Sequence, residues 1–408
     1  MRTIYTIGIY LYSLLATLLG LFNNKARLWS KGRKKLIYKI KSETNHFEGK
    51  TIWIHSASLG EFEQGRPLIE ELKMNHPETR IIITFYSPSG YEVRKDYPLA
   101  DYIFYLPEDT PQNVREFINS IKPDIVIFIK YEFWYNYLNE LNNQHIPYYF
   151  ISAIFRSNQL FFKNWGTWFL KHLKNAEHFF VQNELSKQLL EEVGIKQVSI
   201  TGDTRFDRVI SIAKQVKEND LVKNFKANSK LFLAGSSWPK DENYIMFLQE
   251  KYPDLKIIIA PHLIDDSHIE QILNLFESAI PYSKANFGSI ADYQVLIIDN
   301  MGLLSSLYQY ADFALIGGGF GVGIHNTLEA ATFGMPLFIG PNYQKFQEAK
   351  DLIDEGVISV FESKNELIKK FDVYWKNENK RVLLKETSIK YVQSQSGATN
   401  TILKFLDL

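Results

Sequence analysis

The chain has 408 residues, which at about 150 residues per domain predicts two or three domains. Lys and Arg total 46, as do Asp and Glu, so the net charge is +0 and no global basic field attracts nucleic acid. The absence of cysteine excludes disulfides, thiolate zinc sites and a cysteine nucleophile.

The first residues form an apolar run. No side chain from Ile4 to Phe22 is charged, and the run is roughly long enough for a helix to cross a bilayer. Only Arg2 precedes it, whereas six basic residues follow: Lys25, Arg27, Lys31, Arg33, Lys34 and Lys35. The positive-inside rule then predicts a membrane anchor over residues 1–24 with the remaining chain in the cytoplasm. An ordinary buried helix is the alternative.

From residue 51, short β-branched runs alternate with amphipathic segments. The runs are apolar throughout, which is typical of parallel strands covered by helices on both faces. In the first half the predicted strands are Thr51–Ala57, Arg80–Ser87, Tyr102–Leu106, Asp124–Lys130, Pro147–Ala153, His178–Gln182 and Val198–Thr201. In the second half they are Lys230–Ser236, Lys256–Pro261, Gln294–Asp299, Phe313–Gly317, Pro336–Gly340 and Val357–Phe361.

This alternation predicts an α/β chain with two doubly wound, Rossmann-like domains. The predicted domains cover residues 25–204 and 230–387, joined by a linker at 205–229. A closing helix over 388–408 is predicted to pack on one of them. We expect the carboxyl ends of both sets of strands to face one cleft, where open α/β sheets bind ligands.

Two carboxylates stand at predicted strand ends in the first half. Glu61 follows the strand that ends at Ala57, and Glu132 follows the strand that ends at Lys130. Both positions face the predicted cleft, so Glu61 is a candidate proton acceptor and Glu132 a supporting group. As alternatives, Glu61 only reflects the preference for acidic residues at helix starts, and Glu132 only pairs with Lys130 or Arg156.

An aromatic and basic segment follows at residues 155–174. It interleaves cations with five aromatic side chains: Phe161, Phe162, Trp165, Trp168 and Phe169. This pattern fits a membrane interface and an anionic lipid, and it fits an amphipathic core helix equally well.

The strongest local motif is a glycine-rich loop between a predicted strand and a predicted helix. Five glycines occupy seven positions from Gly317 to Gly323, and His325-Asn326-Thr327-Leu328-Glu329 follows. Glycines allow close approach of a ligand, and amides at a helix N-terminus point at an anion. We therefore predict nucleotide or phosphate binding, with Glu329 accepting hydrogen bonds from a ribose. The alternative is a tight turn with a helix cap supplied by Asn326.

No metal site or cofactor is predicted. The 9 histidines never fall at metal-ligand spacing, although His325 lies in the glycine loop and His262 follows a strand.

Taken together, these motifs resemble the 3-deoxy-D-manno-octulosonic acid (Kdo) transferase family. The family's Ser-x-Gly-Glu turn corresponds to Ser58-Leu59-Gly60-Glu61, and its Glu-Leu-Trp segment to Glu132-Phe133-Trp134. Its linker motif Thr-Gly-Asn-x-Lys-Phe-Asp corresponds to Thr201-Gly202-Asp203-Thr204-Arg205-Phe206-Asp207. Its Met-Gly pair corresponds to Met301-Gly302, and its donor loop ends in His325–Glu329.

The resemblance implies a GT-B glycosyltransferase at the cytoplasmic face of the inner membrane. Its activity would be inverting transfer of Kdo from CMP-Kdo to the lipid A precursor (lipid IVA) in lipopolysaccharide biosynthesis. Residues 25–204 would bind the acceptor and residues 230–387 the nucleotide sugar.

The resemblance also implies roles for individual residues. Glu61 would be the general base, and we place Glu132, Lys130 and Arg156 beside it on the acceptor side. The implied CMP-binding positions are Pro261, His262, Met301, Gly302, Leu303, Asn326, Thr327, Leu328 and Glu329. To the donor side we add Gly318, Gly319, Ser236, Ser237 and Arg205.

The chain departs from the family pattern at three places. Pro261-His262-Leu263-Ile264 replaces Pro-Arg-His-Pro, so an expected arginine near the donor phosphate is missing. Arg205 replaces a lysine, and Leu303 stands where an acidic residue is common. Two alternatives remain: a GT-B transferase or epimerase that uses a UDP-sugar, and a non-catalytic membrane protein that binds a nucleotide sugar or a lipid.

Overall fold

The computed structural model describes residues 2–44, 47–163 and 166–408. The chain divides into two compact units: the first comprises Met1–Arg208 with Ser396–Leu408, and the second comprises Val209–Gln395. Each unit contains one seven-stranded sheet, and every strand pair in the two sheets is parallel. The predicted fold class is therefore confirmed for each unit.

The first sheet consists of short strands that are mostly buried on both faces. They are β1 (Thr51–Ser56), β2 (Arg80–Phe85), β3 (Tyr102–Tyr105), β4 (Ile125–Ile129), β5 (Tyr148–Ala153), β6 (His178–Val181) and β7 (Val198–Ile200). Their order across the sheet is β3-β2-β1-β4-β5-β6-β7. The winding direction therefore reverses between β1 and β4.

The second sheet repeats this plan. Its strands are β8 (Leu231–Ser237), β9 (Lys256–Pro261), β10 (Ala279–Pro281), β11 (Val295–Ile297), β12 (Phe313–Ile316), β13 (Leu337–Ile339) and β14 (Ile358–Val360). Their order is β10-β11-β9-β8-β12-β13-β14, so the reversal lies between β8 and β12. The edge strand β10 was not predicted, because three residues ending in proline give no recognisable period.

Helices connect the strands. In chain order they are α1 (Arg2–Leu19), α2 (Asn24–Arg33), α3 (Leu36–Glu43), α4 (Leu59–Asn75), α5 (Pro88–Arg94), α6 (Pro111–Ile121), α7 (Tyr135–Asn143), α8 (Thr167–Leu173), α9 (Glu184–Glu192), α10 (Arg205–Gln215), α11 (Asp220–Lys226), α12 (Pro239–Lys251), α13 (Asp266–Leu275), α14 (Leu304–Leu307), α15 (Leu328–Phe333), α16 (Gln347–Asp354), α17 (Lys364–Trp375), α18 (Glu378–Ser394) and α19 (Ala398–Leu406). Helices α10 and α11 occupy most of the segment expected to be a linker.

Helix α1 lies against the first unit through one polar side. The Tyr5 hydroxyl donates to Asp109 (2.6 Å), the Ser13 hydroxyl donates to Glu108 (2.6 Å), and Arg2 donates to Asn136 (3.2 Å). These contacts begin at the first turn of α1 and reach its middle.

Asp109, which accepts the hydrogen bond from Tyr5, is fully buried. It also accepts the backbone amides of Asn136 and Tyr137 at the start of α7. Burial raises the pKa of Asp109 to about 6, although the hydrogen bonds oppose that rise.

The opposite side of α1 is apolar and exposed. Its exposed side chains include Ile4, Ile7, Leu11, Leu14, Leu15 and Leu18. By length and composition α1 is capable of crossing a membrane.

The carboxyl-terminal segment contains two helices where one closing helix was expected. Helix α18 belongs to the second unit and α19 to the first, and the break is at Gly397, whose φ is 108°. Ile402, Leu403 and Leu406 of α19 pack in the core of the first unit. Asp207 holds the start of α19 by accepting the backbone amides of Gly397 (2.6 Å) and Thr399 (2.7 Å).

We predict that Asp207→Ala loosens α19. Hydrogen bonds to a charged acceptor contribute roughly 1.5–3 kcal/mol, so α19 amides should exchange with solvent roughly 10–100-fold faster. Hydrogen–deuterium exchange followed by mass spectrometry measures this. Asp254→Ala, at an exposed position of the second unit, is the control. Unchanged protection of α19 in Asp207→Ala would contradict the assignment.

Candidate functional site

The candidate residues cluster at the reversal point of each sheet. Glu61 follows β1 and Glu132 follows β4, and these two strands are neighbours. The glycine loop follows β12, next to the end of β8. In doubly wound sheets, such reversal points at the carboxyl ends of strands are where ligands bind. That the two reversal points face one cleft stays a prediction.

Glu61 is the third residue of α4 and is largely buried. Its Oε1 lies 3.5 Å from the Lys130 Nζ, and its Oε2 accepts the hydroxyl of Ser58. Lys130 has φ 66°, a left-handed conformation that non-glycine residues rarely adopt and that is enriched at functional sites. These two contacts fix the direction of the Glu61 carboxylate.

Glu132 is almost fully buried and has different partners from those expected. Its Oε2 accepts the Trp134 indole N–H (3.0 Å) and lies 3.3 Å from His55 Nε2. Lys130 pairs instead with Glu61, and Arg156 is exposed. The interpretation in which Glu132 pairs with Lys130 or Arg156 is therefore wrong.

His55, on β1, contacts both the neighbouring strand β2 and the loop that follows β4. Its Nδ1 lies 2.8 Å from the Thr84 hydroxyl, and its Nε2 faces Glu132. Sequence reasoning gave His55 no role. The available signal was a polar ring directly after three large apolar residues in a fully buried strand.

The described aromatic side chains of the aromatic and basic segment pack in the core of the first unit or against it. Phe161 and Phe169 are buried, and Trp168 packs on Tyr5 and Tyr135. Lys163 is exposed. These positions match the core-helix interpretation. The segment is not one helix, however, but a 3-10 turn followed by the short α8. Trp165 lies outside the described residues.

On the second unit, one cavity of about 200 Å³ is lined by five of the predicted donor residues. Its lining includes Ser236, Pro261, His262, Met301 and Gly302. Among the described residues, its lining does not include Ser237, Leu303, Gly318, Gly319 or the segment Asn326–Glu329. The buried Ser237 hydroxyl donates to Glu242 instead (2.8 Å).

The first glycines of the loop are required by backbone packing. A Cβ at Gly317 would meet Ser236 O at 2.1 Å, and one at Gly319 would meet Gly340 N at 2.6 Å. Gly318 has φ 92°, and its Cβ would meet Gly323 O at 2.3 Å. These contacts alone account for three glycines, so the glycine density is weaker support for a ligand than the sequence pattern indicated.

The buried carboxylate of Asp241 holds the backbone of the glycine loop. Asp241 accepts the backbone amides of Gly318 (3.0 Å) and Trp238 (2.9 Å). Burial raises the pKa of Asp241 to about 6. Asp241, Gly318 and Lys240 also line a neighbouring cavity of about 300 Å³.

Three aromatic rings stack between the two cavities. His262 lies 4.9 Å from Trp238 and 4.3 Å from His325, measured between ring centroids. The Trp238 indole donates to His325 Nε2 (3.2 Å), so that nitrogen carries no proton. Burial, and then the neighbouring His262, lower the pKa of His325 to about 4.

Glu329 is oriented by two donors. The Ser305 hydroxyl donates to Oε2 (2.7 Å), and the Asn326 amide donates to Oε1 (3.0 Å). Asn326 Oδ1 also accepts the Leu328 amide, as the capping alternative expected. Thr327 is buried, and α15 has only six residues, so its dipole is a smaller source of charge stabilisation than predicted.

Arg205 lies at the crossover into the second unit. Its guanidinium pairs with Asp203 (2.8 Å), whose carboxylate also accepts the Gln64 amide (2.9 Å). Burial raises the pKa of Asp203, but the Arg205 charge and the hydrogen bonds from Arg205 and Gln64 together outweigh burial, so the pKa is lowered overall. A donor-side role for Arg205 stays a prediction.

Comparison with known proteins gives a consistent set of relatives. Residues 29–208 match the family model of 3-deoxy-D-manno-octulosonic-acid transferase (kdotransferase). A 3-deoxy-D-manno-octulosonic acid transferase from Rickettsia bellii is 28% identical over 372 residues, which cover 87% of this chain and 87% of the relative.

Solved structures match the fold over most of the chain. A UDP-GlcNAc 2-epimerase from Neisseria meningitidis bound to UDP-GlcNAc has a TM-score of 0.60 at 19% identity, covering 88% of this chain and 99% of its own. MurG from Acinetobacter baumannii has a TM-score of 0.56 at 13% identity, covering 88% and 99%. These likenesses identify the fold as GT-B.

We predict that His325 makes the second unit less stable as the pH falls from 6.5 to about 4. In this window the unfolded chain binds a proton on His325 that the folded chain does not, so stability is greatest above pH 6.5. His325→Gln removes the titrating imidazole, so the free energy of unfolding should depend less steeply on pH. Urea unfolding followed by circular dichroism between pH 7 and 4.5 measures the difference. Identical pH slopes in both proteins would refute the assignment.

Proposed function

Because the chain belongs to the family of Kdo transferases and has the GT-B fold, we propose that it transfers Kdo from CMP-Kdo to the lipid A precursor (lipid IVA) with inversion. This reaction serves lipopolysaccharide biosynthesis. The observation that carries the proposal is the pairing of Glu61 with Lys130 at the reversal point between β1 and β4.

In the proposed reaction, Glu61 is the general base. Its carboxylate takes the proton of an acceptor hydroxyl, whose oxygen forms a bond to the anomeric carbon of Kdo. The bond from that carbon to the CMP phosphate oxygen breaks, and CMP leaves with the electron pair. Lys130 and Ser58 orient the carboxylate towards the acceptor. Glu132, His55 and Trp134 stiffen the adjacent loop.

The donor is held by the second unit. Glu329, oriented by Ser305 and Asn326, accepts hydrogen bonds from the ribose of CMP. The cavity beside His262 and Met301 receives the nucleotide. Lys240, which lines the neighbouring cavity with Gly318, supplies positive charge in place of the missing arginine. Since the leaving group is a monophosphate, no pyrophosphate has to be clamped by a metal ion.

Transfer requires the acceptor and the anomeric carbon to meet. We therefore propose that the loops around Glu61 and Asn326 border one groove in the reacting enzyme, as ligand binding at reversal points of GT-B proteins would require.

Membrane attachment at the cytoplasmic face of the inner membrane completes the proposal. The exposed leucine and isoleucine side of α1 suits the acyl region, and the basic residues from Lys25 to Lys35 suit anionic head groups. Because Tyr5 and Ser13 are hydrogen-bonded to Asp109 and Glu108, α1 lies along the first unit. Attachment through one side of α1 keeps those carboxylates out of the bilayer, and crossing the bilayer would not.

A UDP-sugar transferase or epimerase is the second candidate, favoured only by the shared fold. A non-catalytic binding protein would not need the arrangement of Glu61, Lys130 and Ser58. The two experiments below distinguish these functions.

We predict that Glu61→Gln lowers the rate of Kdo transfer by about 10²–10⁴-fold, the usual contribution of a general base. The amide keeps the shape of the side chain, so thermal stability and CMP affinity should stay close to those of the wild type. Initial rates with CMP-Kdo and the lipid A precursor measure the effect. Glu71→Gln, on the same helix, is the control. A folded Glu61→Gln enzyme with near-normal turnover would exclude Glu61 as the base.

We predict that CMP raises the thermal stability of the protein more than UDP does. Glu329→Gln should weaken CMP binding about 10–100-fold, since it replaces a charged acceptor for the ribose hydroxyls. Thermal-shift titration gives both results, with Glu355→Gln, an exposed position in the same unit, as the control. Preferential stabilisation by UDP would support the second candidate instead.

A further inference from the structure

A cavity of about 580 Å³ lies between α1, α2 and the start of α5, within the first unit. Its walls are mainly apolar and aromatic. They include Leu15, Ala16 and Leu19 of α1, Ala26 and Trp29 of α2, and Tyr86 after β2. The size is typical of a small-ligand pocket, and no role assigned above accounts for it.

The aromatic wall of the cavity is held rigidly. The Arg33 guanidinium lies 4.1 Å from the Trp29 ring centroid and 4.9 Å from that of Tyr86, and it donates to the Tyr86 carbonyl (2.8 Å). Cation–π contacts of this kind stabilise two rings with one charge. The cavity is therefore preformed, which reduces the entropy lost when a ligand enters.

The same wall adjoins the Glu61 loop. The Ser87 amide, next to Tyr86, donates to the carbonyl of Ala57 (2.7 Å), and Ser58 follows with its hydroxyl on Glu61. A ligand in the cavity thus lies beside the backbone that carries the proposed base.

A second contact leads from the cavity to Glu132. The Tyr86 ring lies 4.7 Å from the Trp134 ring, and the Trp134 indole donates to Glu132. Both carboxylate loops of the first unit are therefore connected to one wall of the cavity.

The cavity also opens onto the exposed side of α1. Leu15 and Leu19 line it, and both are 58% exposed, so they belong to the cavity wall and to the apolar surface of the helix. Lys25 lines it as well and adds a cation suited to a lipid phosphate. An apolar chain with an anionic head group satisfies both features.

We infer that this cavity is the subsite for a fatty acyl chain of the acceptor lipid. Burial of the chain between α1 and α2 places the polar head group of the same molecule next to Glu61. The inference rests on the proposed function and specifies how the first unit recognises a lipid acceptor.

The test compares two substitutions on adjacent residues of α1. Leu15→Trp fills the cavity, whereas Leu14→Trp adds the same ring at a position that is equally exposed, 58%, and does not line the cavity. Transfer from CMP-Kdo is measured with the lipid A precursor in detergent and with the same acceptor after removal of its acyl chains.

We expect Leu15→Trp to raise KM for the acylated acceptor about tenfold, the value of roughly two buried methylene groups. In Leu15→Trp, the KM for the deacylated acceptor should stay unchanged. In Leu14→Trp, the ratio of KM for the acylated acceptor to KM for the deacylated acceptor should stay that of the wild type. If Leu15→Trp folds poorly, Ala26→Trp takes its place in the experiment. It fills the same cavity from α2 and should raise KM for the acylated acceptor to the same extent.

Three outcomes would overturn the inference. One is an unchanged KM for the acylated acceptor in both filling variants. Another is an equal effect of Leu14→Trp and Leu15→Trp, which would assign the cavity wall to membrane attachment alone. The third is an equal rise in KM for both acceptors. Absence of Kdo transfer by the wild type to either acceptor would instead refute the proposed function.

Discussion

Parallel pairing of β1 with β4 is the constraint on which the first unit's site depends. It brings the loop that follows Ser56 next to the loop that follows Ile129, although 69 residues separate Glu61 from Lys130. Because parallel strands end at the same edge, the ammonium group reaches the carboxylate without any further adjustment of the sheet. Lys130 itself has a left-handed φ of 66°, a conformation that costs a non-glycine residue free energy.

The second sheet uses the same constraint with different chemistry. Pairing of β8 with β12 sets Ser236 against Gly317 so closely that a Cβ on the glycine would meet the Ser236 carbonyl. Asp241 then satisfies the Gly318 amide. The loop is thus shaped by internal packing, so the proposal of nucleotide binding rests on the polar groups beside it, above all Glu329 and the His262–His325 pair.

The sequence predicts those parts of the fold that depend on local pattern. Strands such as Ile125–Ile129 are apolar on both faces, so their parallel arrangement follows from composition, while polar end residues made the predicted bounds too long by one or two positions. The partnership of His55 with Glu132 was not predictable, because it joins residues 77 positions apart through the β1–β4 register. The break at Gly397 was missed because both flanking segments are helical.

Helix α1 combines two surfaces that a hydropathy pattern cannot separate. Tyr5 and Ser13 satisfy carboxylates of the first unit, while the leucines on the other side remain exposed. If α1 left the unit to cross a bilayer, the buried Asp109 would lose a hydrogen bond and the wall of the α1–α2 cavity would be removed. The proposed attachment to the membrane and the proposed recognition of a lipid acceptor therefore both depend on α1 staying docked on the first unit.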